Sequence, residues 1–161
     1  MTGIRAVVRG LRPGEAAGCE SLLRSLPDWF GIEQAILDYR RDIESMDTWV
    51  ADREGELAGF LTLTHHNPHT SEIRVMAVRA DLHGKGVGRT LVRHAEHQAR
   101  ARGSRFLEVK TLGPSRPNLE YERTRKFYEA VGFEPLEENL LWGDANPCLI
   151  LVKHLACSRE R

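Results

Sequence analysis

The chain has 161 residues, of which 41% are hydrophobic and 29% charged, and its 23 basic side chains equal its 23 acidic ones. This composition is ordinary for a globular domain, and the balanced charge excludes the strongly basic field of a dedicated nucleic-acid-binding protein. The first residues, MTGIRAVVRG, lack the apolar core of a signal peptide, and no segment reaches membrane-spanning length. We therefore expect a cytoplasmic protein without a nucleic-acid or membrane partner.

Three cysteines, Cys19, Cys148 and Cys157, lie far apart in the sequence and form no C-x-x-C pair. An odd number of unpatterned cysteines is typical of a reducing compartment. No pattern around Cys148 indicates an activated thiolate, so a nucleophilic role is disfavoured for it.

Hydrophobic periodicity predicts seven strands and four helices. Gly55 is the predicted left-handed residue of a hairpin turn, and Gly103 is the predicted cap that ends the third helix. The order β-α-α-β-β-β-α-β-α-β-β mixes hairpins with crossover helices, so we predict an α/β fold of the α+β type with a mixed sheet. In chain order the elements are a strand at about 4–9, helices within 13–26 and 32–43, a hairpin at 48–66, a strand at 71–78, a helix from 87 to the cap, a strand at 104–110, a helix at 121–132, and strands at 133–138 and 147–155.

The segment MAVRADLHGKGVGRTLV joins the fourth strand to the third helix through three glycines at alternate positions. The first N–H groups of a helix have no internal partner, and the helix dipole adds about half a positive charge there. Glycines at 84, 86 and 88 remove the Cβ atoms that would keep a ligand away, and Lys85 and Arg89 add positive charge. The pattern predicts a site for phosphate oxygens, with a merely tight turn as the alternative.

Two common phosphate-binding motifs do not match this segment. A P-loop requires Lys-Ser/Thr directly after the last glycine, where this chain has Arg89 and Thr90. A dinucleotide fingerprint requires a third glycine where this chain has Arg89 or Leu91. Glu108 has the spacing of a ribose-binding acid, but it lies inside the strand FLEVK, so a dinucleotide site is disfavoured.

The segment VMAVRADLHGKGVGRTLV resembles the acetyl-coenzyme A motif of the GCN5-related N-acetyltransferases, the GNAT superfamily. That motif reads Arg/Gln-x-x-Gly-x-Gly/Ala, and here it runs from His83 to Gly88. His83 replaces the usual Arg or Gln, at a position that acts mainly through its backbone in such a turn.

A second segment, TRKFYEAVGFEPLE, resembles the family's helix that carries Phe-Tyr and ends in Gly-Phe. Tyr121 stands where the family often has an Asn that contacts the pantetheine arm, seven residues before Tyr128. The resemblance implies a GNAT fold, with a mostly antiparallel sheet of about seven strands flanked by about four helices. We expect a single domain at residues 1–156 and a C-terminal tail at 157–161.

The resemblance implies an N-acetyltransferase that moves an acetyl group from acetyl-CoA directly to a primary amine. Transfer requires a neutral amine, a stabilised oxyanion and a proton for the leaving thiolate. By resemblance, Tyr128 is the general acid, Glu72 in EIRVMAV is the candidate general base, and the N–H of Val78 polarises the thioester carbonyl. The implied acetyl-CoA-binding residues lie at the end of the fourth strand, in the glycine turn and on the last helix: Met76, Ala77, Val78, His83, Gly84, Lys85, Gly86, Val87, Gly88, Arg89 and Tyr121.

The residues leave several alternatives open. Tyr128 could be a core aromatic, and Glu72 a solvated side chain near a strand end. The histidines at 65, 66 and 69 in THHNPHTSE suggest an auxiliary base, or a metal site; because they have no patterned Cys or carboxylate partner, no metal is predicted. The segment PDWF, together with Tyr39, covers the acceptor pocket by resemblance or is plain core.

The rival functions are transfer of a longer acyl group and a CoA-binding sensor without catalysis. The acceptor is expected to be an amine of a small molecule or a protein, and its identity is not encoded in the fold. A homodimer is left open.

Overall fold

The computed structural model describes residues 4–156, so the predicted tail at 157–161 lies outside the described residues. Seven strands and four helices follow one another in the predicted order, with one short 3₁₀ turn, Ala80–Leu82, added. Their bounds are β1 Val7–Gly10, α1 Ala16–Arg24, α2 Glu33–Ser45, β2 Asp47–Arg53, β3 Glu56–Asn67, β4 Thr70–Val78, α3 Val87–Ala101, β5 Phe106–Leu112, α4 Leu119–Ala130, β6 Glu134–Asn139 and β7 Cys148–His154.

The described chain forms two compact units. The first comprises residues 4–64 and 74–95, and the second comprises residues 65–73 and 96–156. The chain passes from one unit to the other within β3, β4 and α3. The single domain at residues 1–156 stays a prediction.

The sheet has the strand order β1-β2-β3-β4-β5-β7-β6. In the first unit β2 pairs antiparallel with both β1 and β3. In the second unit Thr70–Ile73 of β4 pair in parallel with β5, and β7 lies antiparallel between β5 and β6. A parallel pair needs a crossover connection, which α3 provides between β4 and β5. The predicted mixed, mostly antiparallel sheet is confirmed.

The core of the first unit forms where the apolar faces of α1 and α2 meet strands β2, β3 and β4. Burying one such aliphatic side chain contributes about 1.5–3 kcal/mol relative to leaving it exposed. Trp29, Phe30 and Tyr39 pack against this core as partly buried side chains, as the plain-core alternative predicts. The buried members are Ala16, Cys19, Leu22, Leu23, Leu26, Ile43, Val50, Phe60, Val75 and Ala77.

Polar contacts at both ends of α4 hold it in the second unit. The side chain of Asn118 caps its start by accepting the N–H of Tyr121 at 3.0 Å. At its end, Lys153 of β7 donates to the carbonyl of Val131 at 2.7 Å and also contacts Glu96 of α3. A cation at the C-terminus of a helix is favoured by the helix dipole, so this lysine stabilises the end of α4.

The predicted turn residues are confirmed, whereas some predicted bounds are wrong by a few residues. Gly55 and Gly103 have φ values of 86° and 91°. The first strand begins at Val7, three residues later than predicted, because residues 4–6 make no ladder. Within residues 4–156, no helix combines the length and the apolar character needed to cross a membrane.

Candidate active site

The glycine turn follows β4 and the 3₁₀ turn in the first unit. Gly84 and Gly86 have φ values of 74° and 92°, a left-handed conformation that side chains with a Cβ rarely adopt. A Cβ built at either position meets nothing within 4 Å. The backbone conformation therefore demands glycine here, and the space in front of the turn is open.

The start of α3 supplies donors to this open space. Thr90 bonds the carbonyl of Gly86 through its N–H at 3.1 Å and through its hydroxyl at 3.0 Å. Because this is the first bond of the helix, the N–H groups of residues 87–89 have no acceptor within the helix. Lys85 and Arg89 are exposed beside them. Unpaired N–H groups, the helix dipole and two cations suit phosphate oxygens.

His83 also uses its side chain, although the sequence predicts mainly a backbone role. Its Nε2 lies 2.7 Å from the carbonyl oxygen of Val78, the last residue of β4, and its ring packs edge-on against Trp29 with centroids 5.5 Å apart. This contact fixes the exit of the chain from β4, next to the N–H that the family resemblance assigns to the thioester carbonyl.

The end of β4 alternates between a buried Ala77 and half-buried Met76 and Val78. Gly59 of β3 lies against this segment, and a Cβ there would lie 2.8 Å from the carbonyl oxygen of Ala77. Only glycine permits this approach of the two strands. Gly59 was not predicted to be a site residue, because its signal in the sequence is a single glycine inside a strand pattern.

Glu72 lies in the second unit and is 4% exposed, which contradicts the alternative of a solvated side chain. It stands opposite Glu108 in the parallel β4–β5 pair. Lys110 Nζ contacts Glu72 Oε1 and lies 3.2 Å from Glu72 Oε2 and 3.0 Å from Glu108 Oε1. Burial opposes the charge on Lys110, but its hydrogen bonds to the two carboxylates prevail and raise its pKa. The ammonium group therefore stays charged between two carboxylates.

His66 is the exposed neighbour of this group. Its Nε2 lies 3.3 Å from Glu72 Oε1, and its side chain is 42% exposed. The ligand atoms of His66, Glu72 and Glu108 lie within 4.8 Å of one another, a spacing that a metal ion could use. Lys110 already supplies a cation to both carboxylates. We call His66, Glu72, Glu108 and Lys110 the β4–β5 charge cluster.

The other two histidines of this segment have different hydrogen-bond partners from His66. His65 Nδ1 lies 2.8 Å from the hydroxyl of Ser71, which bonds that of Ser104 at 2.7 Å. His69 is exposed, and its backbone N–H donates to Asn67 Oδ1 at 2.8 Å. Among the three histidines, the structure brings His66 to the candidate base.

Tyr128 is 6% exposed on α4, with its ring centroid 5.2 Å from that of Phe127 and 5.5 Å from that of Phe133. Both its predicted role as an acid and a role in the core are compatible with this packing. Tyr121 is half-buried at the start of the same helix, at the position where the family often has Asn.

The described cysteines are poor nucleophiles. Cys19 and Cys148 are both buried free thiols. Burial raises the pKa of Cys19 to about 12 and also raises that of Cys148. Neutral thiols react slowly, as the sequence predicts for Cys148. Cys157 lies outside the described residues.

Comparison with known proteins identifies the family. The model of the "Acetyltransferase (GNAT) family" matches residues 17–133, which include β4, the glycine turn and all of α4. The chain belongs to the GNAT acetyltransferase family. An uncharacterized N-acetyltransferase of Chlorobaculum tepidum is 27% identical in a 127-residue alignment, with 73% of each chain covered.

Solved GNAT structures share this fold. A GNAT acetyltransferase from Desulfovibrio desulfuricans superimposes with a TM-score of 0.82 at 19% identity, covering 94% of this chain and 100% of its own. A GNAT acetyltransferase from Elizabethkingia anophelis, solved with acetyl-CoA bound, gives a TM-score of 0.71 at 16% identity, covering 93% of this chain and 98% of its own. At these identities the likeness establishes the fold alone.

Two members of the β4–β5 charge cluster were not predicted. Glu108 was considered only as a ribose-binding acid, and Lys110 was not considered. The available signal was a pair of charged residues two positions apart inside the strand FLEVK, which places both side chains on one face of the sheet.

Proposed function

We propose that this GNAT family member is an N-acetyltransferase that moves an acetyl group from acetyl-CoA to a primary amine by direct transfer. The observation that carries the proposal is the turn after β4. Its left-handed glycines, its open face and the first N–H groups of α3 suit the pyrophosphate of a coenzyme A thioester.

In this proposal the cofactor uses two parts of the first unit. The backbone of Met76, Ala77 and Val78 pairs with the pantetheine arm as an added strand would, and the N–H of Val78 polarises the thioester carbonyl. The pyrophosphate takes N–H groups of the segment from His83 to Arg89. Tyr121 is proposed to contact the pantetheine in place of the family's Asn.

Tyr128 is the proposed general acid. An ordinary tyrosine has a pKa of about 10 and a thiol one of about 8.5, so a phenol is protonated at neutral pH and can give its proton to a forming thiolate. Glu72 is proposed to supply the base function that removes a proton from the attacking amine. The acceptor is an amine of a small molecule or of a protein.

The test is an assay of free-thiol release with acetyl-CoA and a panel of amines. The panel contains an amino sugar, a polyamine, a peptide with a free N-terminal amine and a peptide with an internal lysine. We expect thiol release that depends on one of these amines, with the acetylated product found by mass spectrometry. If acetyl-CoA binds but no amine is acetylated, the proposed activity is wrong and the sensor alternative gains support.

Longer acyl-CoA thioesters in the same assay test the second alternative. We expect the highest kcat/KM with acetyl-CoA. A higher kcat/KM with a longer acyl chain would instead identify the protein as a transferase of that acyl group.

A further inference from the structure

Amine acetylation releases one proton overall, because the ammonium group loses two protons and the leaving thiolate gains one. An enzyme that begins from the ammonium form therefore needs a path for a proton from the amine to water. We infer that Glu72 supplies its base function through His66, whose Nδ1 accepts the proton of the acceptor amine while Glu72 orients and stabilises the ring. This inference rests on the proposed acetyltransferase function.

Glu72 is badly placed to take the proton itself. Its side chain is 5% exposed, and Lys110 touches both of its oxygens. Lys110 at both oxygens and His66 at Oε1 occupy the approaches to the carboxylate, so an amine reaches the exposed His66 more readily than it reaches Glu72. The carboxylate can still orient a neighbouring group through a hydrogen bond and stabilise a positive charge on that group.

His66 has the geometry of that neighbouring group. An ionised carboxylate only accepts hydrogen bonds, so the contact at 3.3 Å makes Nε2 of His66 the donor to Glu72 Oε1. In a neutral ring the lone pair then lies on Nδ1, which has no hydrogen-bond partner among residues 4–156. With 42% of the side chain exposed, a proton taken up at Nδ1 can pass to water.

The β4–β5 charge cluster holds more negative than positive charge beside His66. Two carboxylates, Glu72 and Glu108, surround one ammonium group, Lys110, so the cluster carries one net negative charge while His66 is neutral. A proton on His66 brings the cluster to zero. The charges of Lys110, Glu72, Glu108 and Glu137 act on Cys148 of β7, and burial keeps that group a neutral thiol.

The step balances in atoms and charge. The ammonium N–H bond breaks, the Nδ1–H bond of His66 forms, and the amine lone pair attacks the thioester carbon. The C–S bond then breaks, and the thiolate takes a proton from the general acid. The acylated nitrogen gives its second proton to the deprotonated general acid, which is thereby restored. The imidazolium gives its proton to water, and Glu72 keeps its charge throughout. Glu72 is thus a positioning residue in this step.

The experiment compares His66→Ala with the wild type in the thiol-release assay, using the panel amine with the highest wild-type rate. We expect kcat/KM at neutral pH to fall by about 10², the lower range for a general base. Added imidazole should restore part of the rate in the variant and leave the wild type unchanged. Pyrazole, which has the same ring shape but is far less basic, should not restore it.

His69→Ala is the matched control, because it removes an exposed histidine three residues away with no contact to Glu72. It should keep the wild-type rate and show no response to imidazole. A second variant, His66→Gln, keeps a hydrogen-bond donor to Glu72 and should still lose the rate, with thermal unfolding confirming that both variants are folded.

A folded His66→Ala variant with the wild-type rate, or one rescued equally by pyrazole, would overturn the role of His66 and leave the acetyltransferase proposal intact. A wild type that acetylates none of the amines would overturn the proposed activity, and the inference with it.

Discussion

The glycine turn can be tested by placing a negative charge in its open face. Gly86→Asp introduces a Cβ that meets no atom within 4 Å, so the carboxylate extends into the space assigned to the pyrophosphate. At about 5 Å in water, each unit of phosphate charge costs about 0.8 kcal/mol by Coulomb's law. Two such charges cost about 1.7 kcal/mol, so we expect the affinity for acetyl-CoA to fall at least about tenfold.

The same substitution also strains the backbone, because Gly86 has a φ of 92°. Left-handed conformations cost side chains with a Cβ about 1–2 kcal/mol. Gly55→Asp is the matched control: Gly55 has a φ of 86° in the β2–β3 hairpin and equally open surroundings. Both variants should lose similar stability, and only Gly86→Asp should lose affinity.

The assay is isothermal titration with acetyl-CoA, with thermal unfolding of each variant measured in parallel. If folded Gly86→Asp binds acetyl-CoA as tightly as Gly55→Asp does, the turn does not hold the pyrophosphate, and the cofactor assignment built on it fails.

Three further changes test the remaining assignments. Tyr128→Phe keeps the ring and its packing, so it should preserve folding and acetyl-CoA binding while lowering turnover by about 10² or more; a wild-type rate would assign Tyr128 to the core. Glu72→Gln should slow turnover mostly at neutral pH and recover in part as the pH rises, because more of the amine is then already neutral; a wild-type pH–rate profile would remove Glu72 from the mechanism. Hydrogen bonds from the Arg9 side chain and the Arg12 N–H lower the pKa of Glu15 from 4.5 to about 2, so its contribution to stability is present above pH 4.5 and is lost as the pH falls towards 2. In urea unfolding the wild type should therefore lose more stability than Glu15→Gln over that interval, and equal losses would contradict the assignment.

The order of the elements could be predicted because each signal is local. The spacing of hydrophobic residues that distinguishes a strand from a helix can be read within one segment, and left-handed glycines mark the ends of these elements. The 3₁₀ turn Ala80–Leu82 was missed because three residues carry no period. The family resemblance likewise rests on short segments, such as the run from His83 to Gly88, whose backbone conformation depends on its own residues.

The β4–β5 charge cluster could not be predicted in the same way. Its members come from three strands, and they meet only because Glu72 stands opposite Glu108 in the parallel pair. A shift of one residue in this register would turn the side chains to the other face of the sheet. Neither the segment THHNPHTSE nor the segment FLEVK fixes that register by itself. Glu72 and the histidines could therefore be predicted as candidates, but the contact between Glu72 and His66 could not.

The contacts of two lysines separate an ion pair that supports the fold from the β4–β5 charge cluster, for which we propose a catalytic role. Lys153 contacts the buried Glu96, and it also donates to the carbonyl of Val131 at the end of α4. Its charge therefore stabilises the folded structure. The ammonium group of Lys110 contacts the carboxylates of Glu72 and Glu108 and no backbone carbonyl among residues 4–156. A buried ion pair of this kind adds little net stability, since desolvation offsets the attraction between the charges. Titratable groups gathered without structural need are typical of catalytic sites, and His66 gives this group its access to water.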